Sequence, residues 1–391
     1  MSSVPHGGSD SNGSTSGTGP RGTGGKGGEG GAGAGGGLRV VVVGATGNAG
    51  TSVVRALSED PAVGSVLGLA RRLPAWSPPR TRWAAVDIGE DAALGDLTRH
   101  FRGADAVVHL AWLFQPTHTP KLTWRTNVLG SLRVFEAAAA ADVPALVYAS
   151  SVGAYSAGPK DRPVDESWPT HGWPEAAYCR EKSYVERALD VHEREHPHMR
   201  VVRMRPGFLF KPEAASQQRR LFAGPLLSRR MARPELLPVV PDLPGLRFQA
   251  LHTDDAAEAY RLAVTSPAAH GAYNLAADPP VDAAMLAELF GARVVRMPAW
   301  PVRSGLAAAW RLHLLPASPQ LFDAVLRLPL MDTRRAVEEL GWRPRYTARE
   351  ALMAFVDGLR EGRGMATAPL ASSLPGGGRA AEVATGVGER P

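Results

Sequence analysis

Cysteine is all but missing: Cys179 stands alone in a chain of 391 residues. No intrachain disulfide is possible, and nothing points to an oxidising compartment. Lysine is scarce as well, 5 residues against 39 arginines. The arginines are scattered, without a basic run of about five to eight residues. The formal charge of +6 therefore lacks the footprint of a nucleic-acid-binding surface. No window reaches the run of about 18 apolar residues that a membrane span needs. The amino-terminal segment holds no apolar stretch resembling a signal peptide. Residues 1–37 are mostly Gly, Ser and Thr, and 362–391 turn Gly- and Ala-rich again. Such segments cannot bury enough surface to offset their ordering entropy, so both are expected to be disordered tails. These absences leave the expectation of a soluble, cytoplasmic protein that acts on a small molecule, with no nucleic-acid and no membrane partner.

What is present begins at Leu38-Arg-Val-Val-Val-Val43, a β-branched run of the kind buried on both faces of a parallel sheet. It runs into Gly44-Ala-Thr-Gly-Asn-Ala-Gly50 and then into the helical pattern of Val53, Val54, Ala56 and Leu57. Gly44, Gly47 and Gly50 follow the spacing G-x-x-G-x-x-G between a strand and a helix. That arrangement meets the needs of a pyrophosphate: a tight turn, close backbone approach and helix N–H groups facing the anion. It marks Gly44, Thr46, Gly47, Asn48 and Gly50 as dinucleotide-binding candidates. Ser65–Ala70 reads as a second strand. An NAD site would close that strand with an acid for the ribose hydroxyls, but Arg71 and Arg72 stand there. Arginine at this place suits a 2′-phosphate, which favours NADP over NAD. Two solvated surface arginines are the other reading. Ala84–Asp87 reads as a third strand and places Asp87 against the adenine.

Further strands are expected at Asp105–Leu110, Ala145–Ser150 and Arg200–Arg205, with helices from Leu122 to about Ala141 and from Glu175 to about His196. Strands alternating with helices make an α/β, doubly wound parallel sheet, whose ligands lie outside the carboxyl ends of the strands. Gly44, Arg71, Asp87, His109, Ser151 and Pro206 all fall at those ends. In Ala177-Tyr-Cys-Arg-Glu-Lys182 the tyrosine and lysine are four apart and share a helical face. A phenol is a poor base at neutral pH. An ammonium beside it favours the phenolate and lowers its pKa, so Tyr178 and Lys182 form a proton-transfer pair. With 7 Tyr and 5 Lys in the whole chain, chance seldom produces that spacing.

Taken in order, the glycine turn, Ser151 and Tyr-x-x-x-Lys make the chain resemble the extended short-chain dehydrogenase/reductase family, and within it the NAD-dependent epimerase/dehydratase group. The resemblance runs from about Leu38 to Leu359. It includes Asn127 in Trp-Arg-Thr-Asn-Val-Leu-Gly130, Arg205-Pro-Gly207, Leu251-His-Thr-Asp-Asp-Ala-Ala-Glu-Ala259 and Leu340-Gly-Trp-Arg-Pro-Arg-Tyr346. It implies a Rossmann domain with a smaller carboxyl-terminal substrate lobe, and hydride transfer at a hydroxyl or carbonyl carbon beside NAD or NADP. Tyr178 would be the catalytic acid/base. Lys182 would hold the nicotinamide ribose and keep the tyrosine pKa low. Ser151, with Ser150 as its alternative, would hydrogen-bond the substrate oxygen. Asn127 would fix a helix kink and the water that relays protons. The substrate is a sugar nucleotide or a small keto/hydroxy compound, and a non-catalytic dinucleotide-binding sensor is the alternative. Pairing into a homodimer through helices of the main domain is also implied. Two departures count against sugar chemistry. Val152 and Gly153 replace the Asp-Glu pair of dehydratases, and Arg205-Pro-Gly-Phe-Leu-Phe210 lacks the Asn that helps sugar-nucleotide enzymes bind diphosphate.

The domain boundaries follow. Residues 38–206 and 247–280 form the Rossmann domain, and 207–246 with 281–361 form the lobe. Arg219, Arg220, Arg229 and Arg230 offer diphosphate ligands or a solvated face. The apolar stretch Leu306–Leu315 is expected in the lobe core, with a dimer or lipid contact as the alternative. Asp165-Glu166 reads as turn chemistry. His252 with Asp254 and Asp255 reads as a helix start capped by Thr253 or Asp254, with no metal.

Overall fold

The computed structural model describes residues 36–115, 117–223 and 238–372. The expectations for the ends beyond these, and for Arg229 and Arg230, lie outside the described residues.

Seven strands form the main sheet: β1 Leu38–Val43, β2 Val63–Ala70, β3 Thr81–Ala85, β4 Ala106–His109, β5 Ala145–Ala149, β6 Arg200–Pro206 and β7 Gly271–Leu275. Their spatial order is β3-β2-β1-β4-β5-β6-β7, and every pairing is parallel. The order reverses between β1 and β4, which opens a crevice at the carboxyl ends of those two strands. β1 explains why the sheet is covered twice. Val40 and Val42 point into a core shared with Val54, Leu57 and Tyr260, while Val41 and Val43 point into another with Leu97, Phe101 and Phe135.

The first face is covered by helix α1, Asn48–Glu59, and by Thr253–Thr265. The second is covered by α2, Ala93–Phe101, by α3, residues 120–140, and by α4, Ala177–Glu195. α3 carries a π-helical turn at Arg125–Leu129 between two α-helical pieces. β3 ends two residues before Asp87, so Asp87 sits in the following turn, where its Oδ1 accepts from the Gly89 N–H at 2.9 Å.

The carboxyl-terminal region departs from the expected division. Helices α5, Thr253–Thr265, α6, Ala283–Phe290, α7, Ala299–Arg311, α8, Pro319–Val325, α9, Arg334–Leu340, and α10, Ala348–Glu361, follow in order. Ala336, Leu340, Trp342, Ala348 and Leu352, expected in the lobe, lie in the same core cluster as Val40. Trp342 is fully buried and donates its Nε1–H to the Asp255 carbonyl at 2.8 Å. The Asp255 carboxylate accepts from the Arg345 and Tyr346 N–H groups at 3.0 Å each. The Leu251–Ala259 and Leu340–Tyr346 motifs are thus two halves of one clamp. His252, rather than Thr253 or Asp254, caps α5, its Nδ1 accepting from the Asp254 N–H at 3.2 Å. No residue of α7 is fully buried. Leu306 lines the central cavity instead of a lobe core. The chain also does not end its packing at Gly362: Leu370 is wholly buried and Thr367 nearly so.

Below the crevice lies a buried polar network. Arg205, at the end of β6, makes a two-point pair with Glu186 of α4, Nε to Oε1 at 2.9 Å and Nη2 to Oε2 at 2.8 Å. The Ser150 hydroxyl donates to Glu186 Oε1 at 2.5 Å. Arg205 Nη1 donates to the Tyr155 hydroxyl at 2.9 Å, and that hydroxyl donates to Asn274 Oδ1 at 2.6 Å. These contacts fasten the 150–155 loop between β5, β6 and α4. Arg205, with help from Ser150, holds the Glu186 carboxyl below the usual range against the opposing effect of burial. Its folded pKa is therefore lower than its unfolded one. The stability it contributes is complete above about pH 5 and is lost as pH falls through the folded value. Glu186→Gln, which leaves Arg205 buried without its counter-charge, is expected to cost about 3–5 kcal/mol. Urea unfolding at neutral pH checks the loss, and the same titration repeated towards pH 4 is expected to show a smaller acid dependence in the variant.

Candidate active site

One cavity of about 880 Å³ opens at the crevice. Gly44, Thr46, Gly47, Asn48, Gly50, Arg71, Asp87, Ser151, Tyr178 and Lys182 all line it. Asn127 and His109 do not.

The glycine turn is built for close approach. Gly44 has φ +83°, and a Cβ there would stand 2.5 Å from the Ala111 nitrogen. A Cβ on Gly50 would stand 2.2 Å from the Gly44 oxygen. No side chain caps α1 and its first turn holds no acid, so the positive end of the helix faces the cavity uncompensated. Asn48 serves the scaffold: its amide donates to the Leu209 carbonyl at 3.3 Å and accepts from Thr253 Oγ1 at 3.1 Å. The residues present fit a dinucleotide, with backbone rather than side chains available to its pyrophosphate. At the other end of the same half, Arg71 is exposed and Arg72 half-buried. Burial and the neighbouring Arg71 both push the Arg72 pKa down.

A strap missed by the sequence closes this half. Thr367 Oγ1 donates to the Thr46 carbonyl at 3.0 Å, the Ala75 N–H donates to the Ala366 carbonyl at 3.2 Å, and Arg220 donates to the carbonyls of Pro369 and Ala371 at 2.9 Å each. Ala368 and Pro369 line the cavity. A Gly- and Ala-rich composition gave no signal of this, because the strap is held largely through its backbone carbonyls, with Thr367 and Leu370 as its buried side-chain anchors.

Tyr178 stands at the centre of the other half. A Cβ on Gly153 would lie 2.6 Å from Tyr178 Cε1, so glycine there admits the ring beside Ser151. Burial pushes the phenol pKa up and a hydrogen bond with Ser151 pulls it back, with a net rise. Tyr178 is thus a protonated phenol at neutral pH. The expected lowering by Lys182 is not found. The Lys182 Nζ donates to the Ala149 carbonyl at 2.6 Å and lies 3.5 Å above the Trp112 ring. Burial drives its own pKa well below the ordinary ammonium value, with Glu186 and Glu181 acting in opposition. Both serines line the cavity; Ser150 is bonded to Glu186, while Ser151, whose Oγ accepts from the Gly153 N–H at 3.0 Å, hydrogen-bonds Tyr178. Burial pushes the neighbouring Cys179 thiol up to about 12, which makes it unreactive.

Asn127 holds the site rather than entering it. Its Oδ1 accepts from the Leu113 N–H at 2.6 Å, and its Nδ2 donates to the Leu113 carbonyl at 2.8 Å and to Glu181 Oε2 at 2.7 Å. Both amide hydrogens are thus bonded within the protein. What Asn127 fixes is the 110–115 loop, whose Trp112 and Phe114 flank Tyr178. His109 lies beneath that loop. Ser131 donates to the Asn127 carbonyl at 2.5 Å and so accepts from His109 Nε2 at 2.8 Å. Burial drives the His109 pKa down to about 3, so it is a neutral scaffold group. No cluster of three or more His, Cys, Asp or Glu side chains suited to a metal occurs among the described residues. Likewise, no helix there is long and apolar enough to cross a membrane.

Residues 40–276 match the NAD dependent epimerase/dehydratase family. The chain belongs to that family of NAD(P)-dependent enzymes. Among curated relatives it is 34% identical over 113 residues to the L-arabinose 1-dehydrogenase (NAD(P)(+)) of Haloferax volcanii, a match covering 29% of this chain and 41% of that one. The chain thus spans less than half the length of this relative. Among solved structures it resembles the UDP-glucose 4-epimerase of Thermus thermophilus in complex with NAD, with TM-score 0.60 and 22% identity over 83% of this chain and 99% of that one. It also resembles DesIV, a dTDP-glucose 4,6-dehydratase from Streptomyces venezuelae with NAD and TYD bound, with TM-score 0.60 and 20% identity over 83% and 97%. At these identities the two structures establish the shared fold alone. The strap leads to a prediction: Leu370→Asp, which puts a charge in its buried anchor, is expected to weaken NAD(P)H binding about ten-fold, or roughly 1.4 kcal/mol, by isothermal titration, while far-UV circular dichroism is unchanged.

Proposed function

We propose that the protein is an NAD(P)-dependent oxidoreductase that moves hydride at a hydroxyl or carbonyl carbon, with Tyr178 as the acid/base. The observation that carries this reading is the meeting of Tyr178, Ser151 and Lys182 in the same cavity as the glycine turn. A nicotinamide dinucleotide supplies the hydride chemistry when bound. The chain's own part is placement and proton transfer. Ser151 orients the reacting oxygen beside the Tyr178 hydroxyl. The raised phenol pKa keeps Tyr178 protonated, which suits donation to a carbonyl oxygen more than abstraction from an alcohol. Lys182, four residues along α4, is placed to bind ribose hydroxyls by turning from Ala149 and Trp112.

The arginine pair supports NADP over NAD. No acid closes β2, and two adjacent guanidinium groups repel each other unless an anion sits between them. A nucleotide-sugar epimerase is the second reading, favoured by the names of the structural neighbours. Cofactor fate separates the two, since a reductase consumes NADPH stoichiometrically and an epimerase regenerates it. A non-catalytic sensor would bind the cofactor and turn over nothing.

The test is to assay released and added cofactor against carbonyl compounds and sugar nucleotides, with Tyr178→Phe beside the native chain. Tyr178→Phe is expected to lower kcat about 10²–10⁴-fold with NADPH binding retained; full turnover in that variant would sink the catalytic reading. In a parallel assay, Arg71→Ala is expected to weaken NADPH binding about ten-fold, equivalent to one lost charge-assisted contact, and to leave NADH binding unchanged.

A further inference from the structure

The cavity wall beyond Tyr178 carries information about what receives the proton. Phe114 stacks on the Tyr178 ring with centroids 5.1 Å apart and planes 14° apart. Phe222 meets Phe114 edge-on at 6.0 Å, and Trp112 meets Tyr178 edge-on at 5.9 Å. Phe114 and Phe222 are each 37% exposed and both line the cavity, as do Leu306 of α7 and Leu321 and Phe322 of α8. Apolar surface left uncovered inside a concave site is the usual mark of an apolar ligand.

Most polar side chains of the same wall are spent on the protein, and the half-buried Gln217, which also lines it, brings only a neutral amide. The Gln115 amide donates to the carbonyls of Leu221 at 2.7 Å and Pro316 at 3.2 Å, and its oxygen accepts from the Thr117 N–H at 3.0 Å. Gln218 Nε2 donates to the Leu209 carbonyl at 2.6 Å. Arg220 holds the strap, Arg219 is likewise engaged, and Ser318 caps α8. Two buried polar atoms on this wall lack a partner among the described residues: the donor Trp112 Nε1 and the acceptor Gln218 Oε1. One neutral donor and one neutral acceptor match a carbonyl or hydroxyl. A diphosphate needs several free donors or cations, and sugar hydroxyls left unpaired against this wall would lose binding.

Resting on the oxidoreductase reading above, we propose that the substrate is an uncharged ketone, or the secondary alcohol formed from it, on an apolar ring-bearing skeleton that packs between Phe114 and Phe222. In reduction, the carbonyl carbon takes hydride from the reduced nicotinamide, which becomes oxidised. The carbonyl oxygen takes the Tyr178 proton, which water replaces. The balance is ketone, NAD(P)H and a proton to alcohol and NAD(P)+.

The experiment titrates the cofactor-loaded full chain with acetophenone, tetralone and their alcohols, and separately with UDP and UDP-glucose, and measures turnover of each. Binding and reduction of the aryl ketones is expected, with Kd and KM raised roughly ten-fold or more by Phe222→Ala and no response to UDP or UDP-glucose. Phe222 is partly exposed and away from the core, so its loss is not a folding defect; circular dichroism and NADPH affinity serve as controls. Binding of the ketones or alcohols without turnover, sensitive to Phe222→Ala, supports the substrate class and counts against the catalytic reading. Tight binding or conversion of UDP-glucose, or failure of every apolar ligand to bind, overturns the substrate class; conversion of UDP-glucose would leave the catalytic reading standing.

Discussion

The two-point pairing of Glu186 with Arg205 is the contact on which the site depends. Glu186 lies on the stripe of α4 that also carries Tyr178 and Lys182, each four residues from the next. Arg205 is the last residue but one of β6, and Ser150, which also bonds Glu186, follows β5. One buried carboxylate therefore sets the height of α4 against two strand ends. A buried charge pair contributes little net stability compared with an apolar packing of the same shape. Its value here is positional: with Ser150 bonded into the pair, Ser151 is left to meet Tyr178.

A second device, of the opposite kind, holds the loop above β4. Asn127 closes on both backbone groups of Leu113 and is itself held by Glu181. The π-helical turn Arg125–Leu129 widens the helix at this point, as such turns often do at functional positions. The clamp presents Trp112 and Phe114 to Tyr178 with defined geometry although neither is part of a regular element. Burial is the main reason the Tyr178 phenol pKa rises instead of falling, and both rings pack against the phenol.

The two halves of the cavity are built by contrasting means. The half below the glycine turn presents backbone, an uncapped helix end and the exposed Arg71. The half beyond Tyr178 presents aromatic and aliphatic surface, with Gln115, Gln218 and Arg220 engaged with carbonyls of neighbouring loops. The strap from Ala366 to Ala371 joins the halves, since Arg220 at one side and Thr46 at the other both bond to it.

Much of this was legible in the sequence because it rests on local pattern. The run Leu38–Val43 announced a strand buried on both faces, and the spacing of Gly44, Gly47 and Gly50 announced a tight turn, in which Gly44 and Gly50 leave no room for a Cβ. The four-residue step from Tyr178 to Lys182 put both on one face of a helix. These are consequences of backbone geometry within one or two turns of chain, so residue type alone determines them. What only the tertiary structure decided are contacts between residues far apart in sequence. Examples are whether Lys182 lies against Tyr178 or Trp112, which of two adjacent serines is bonded to Glu186, that Asn127 grips Leu113, and that a Gly- and Ala-rich end packs over Thr46. Each depends on the burial and hydrogen-bond satisfaction of a particular side chain. The surroundings that set both come from elements 14 to 321 residues away.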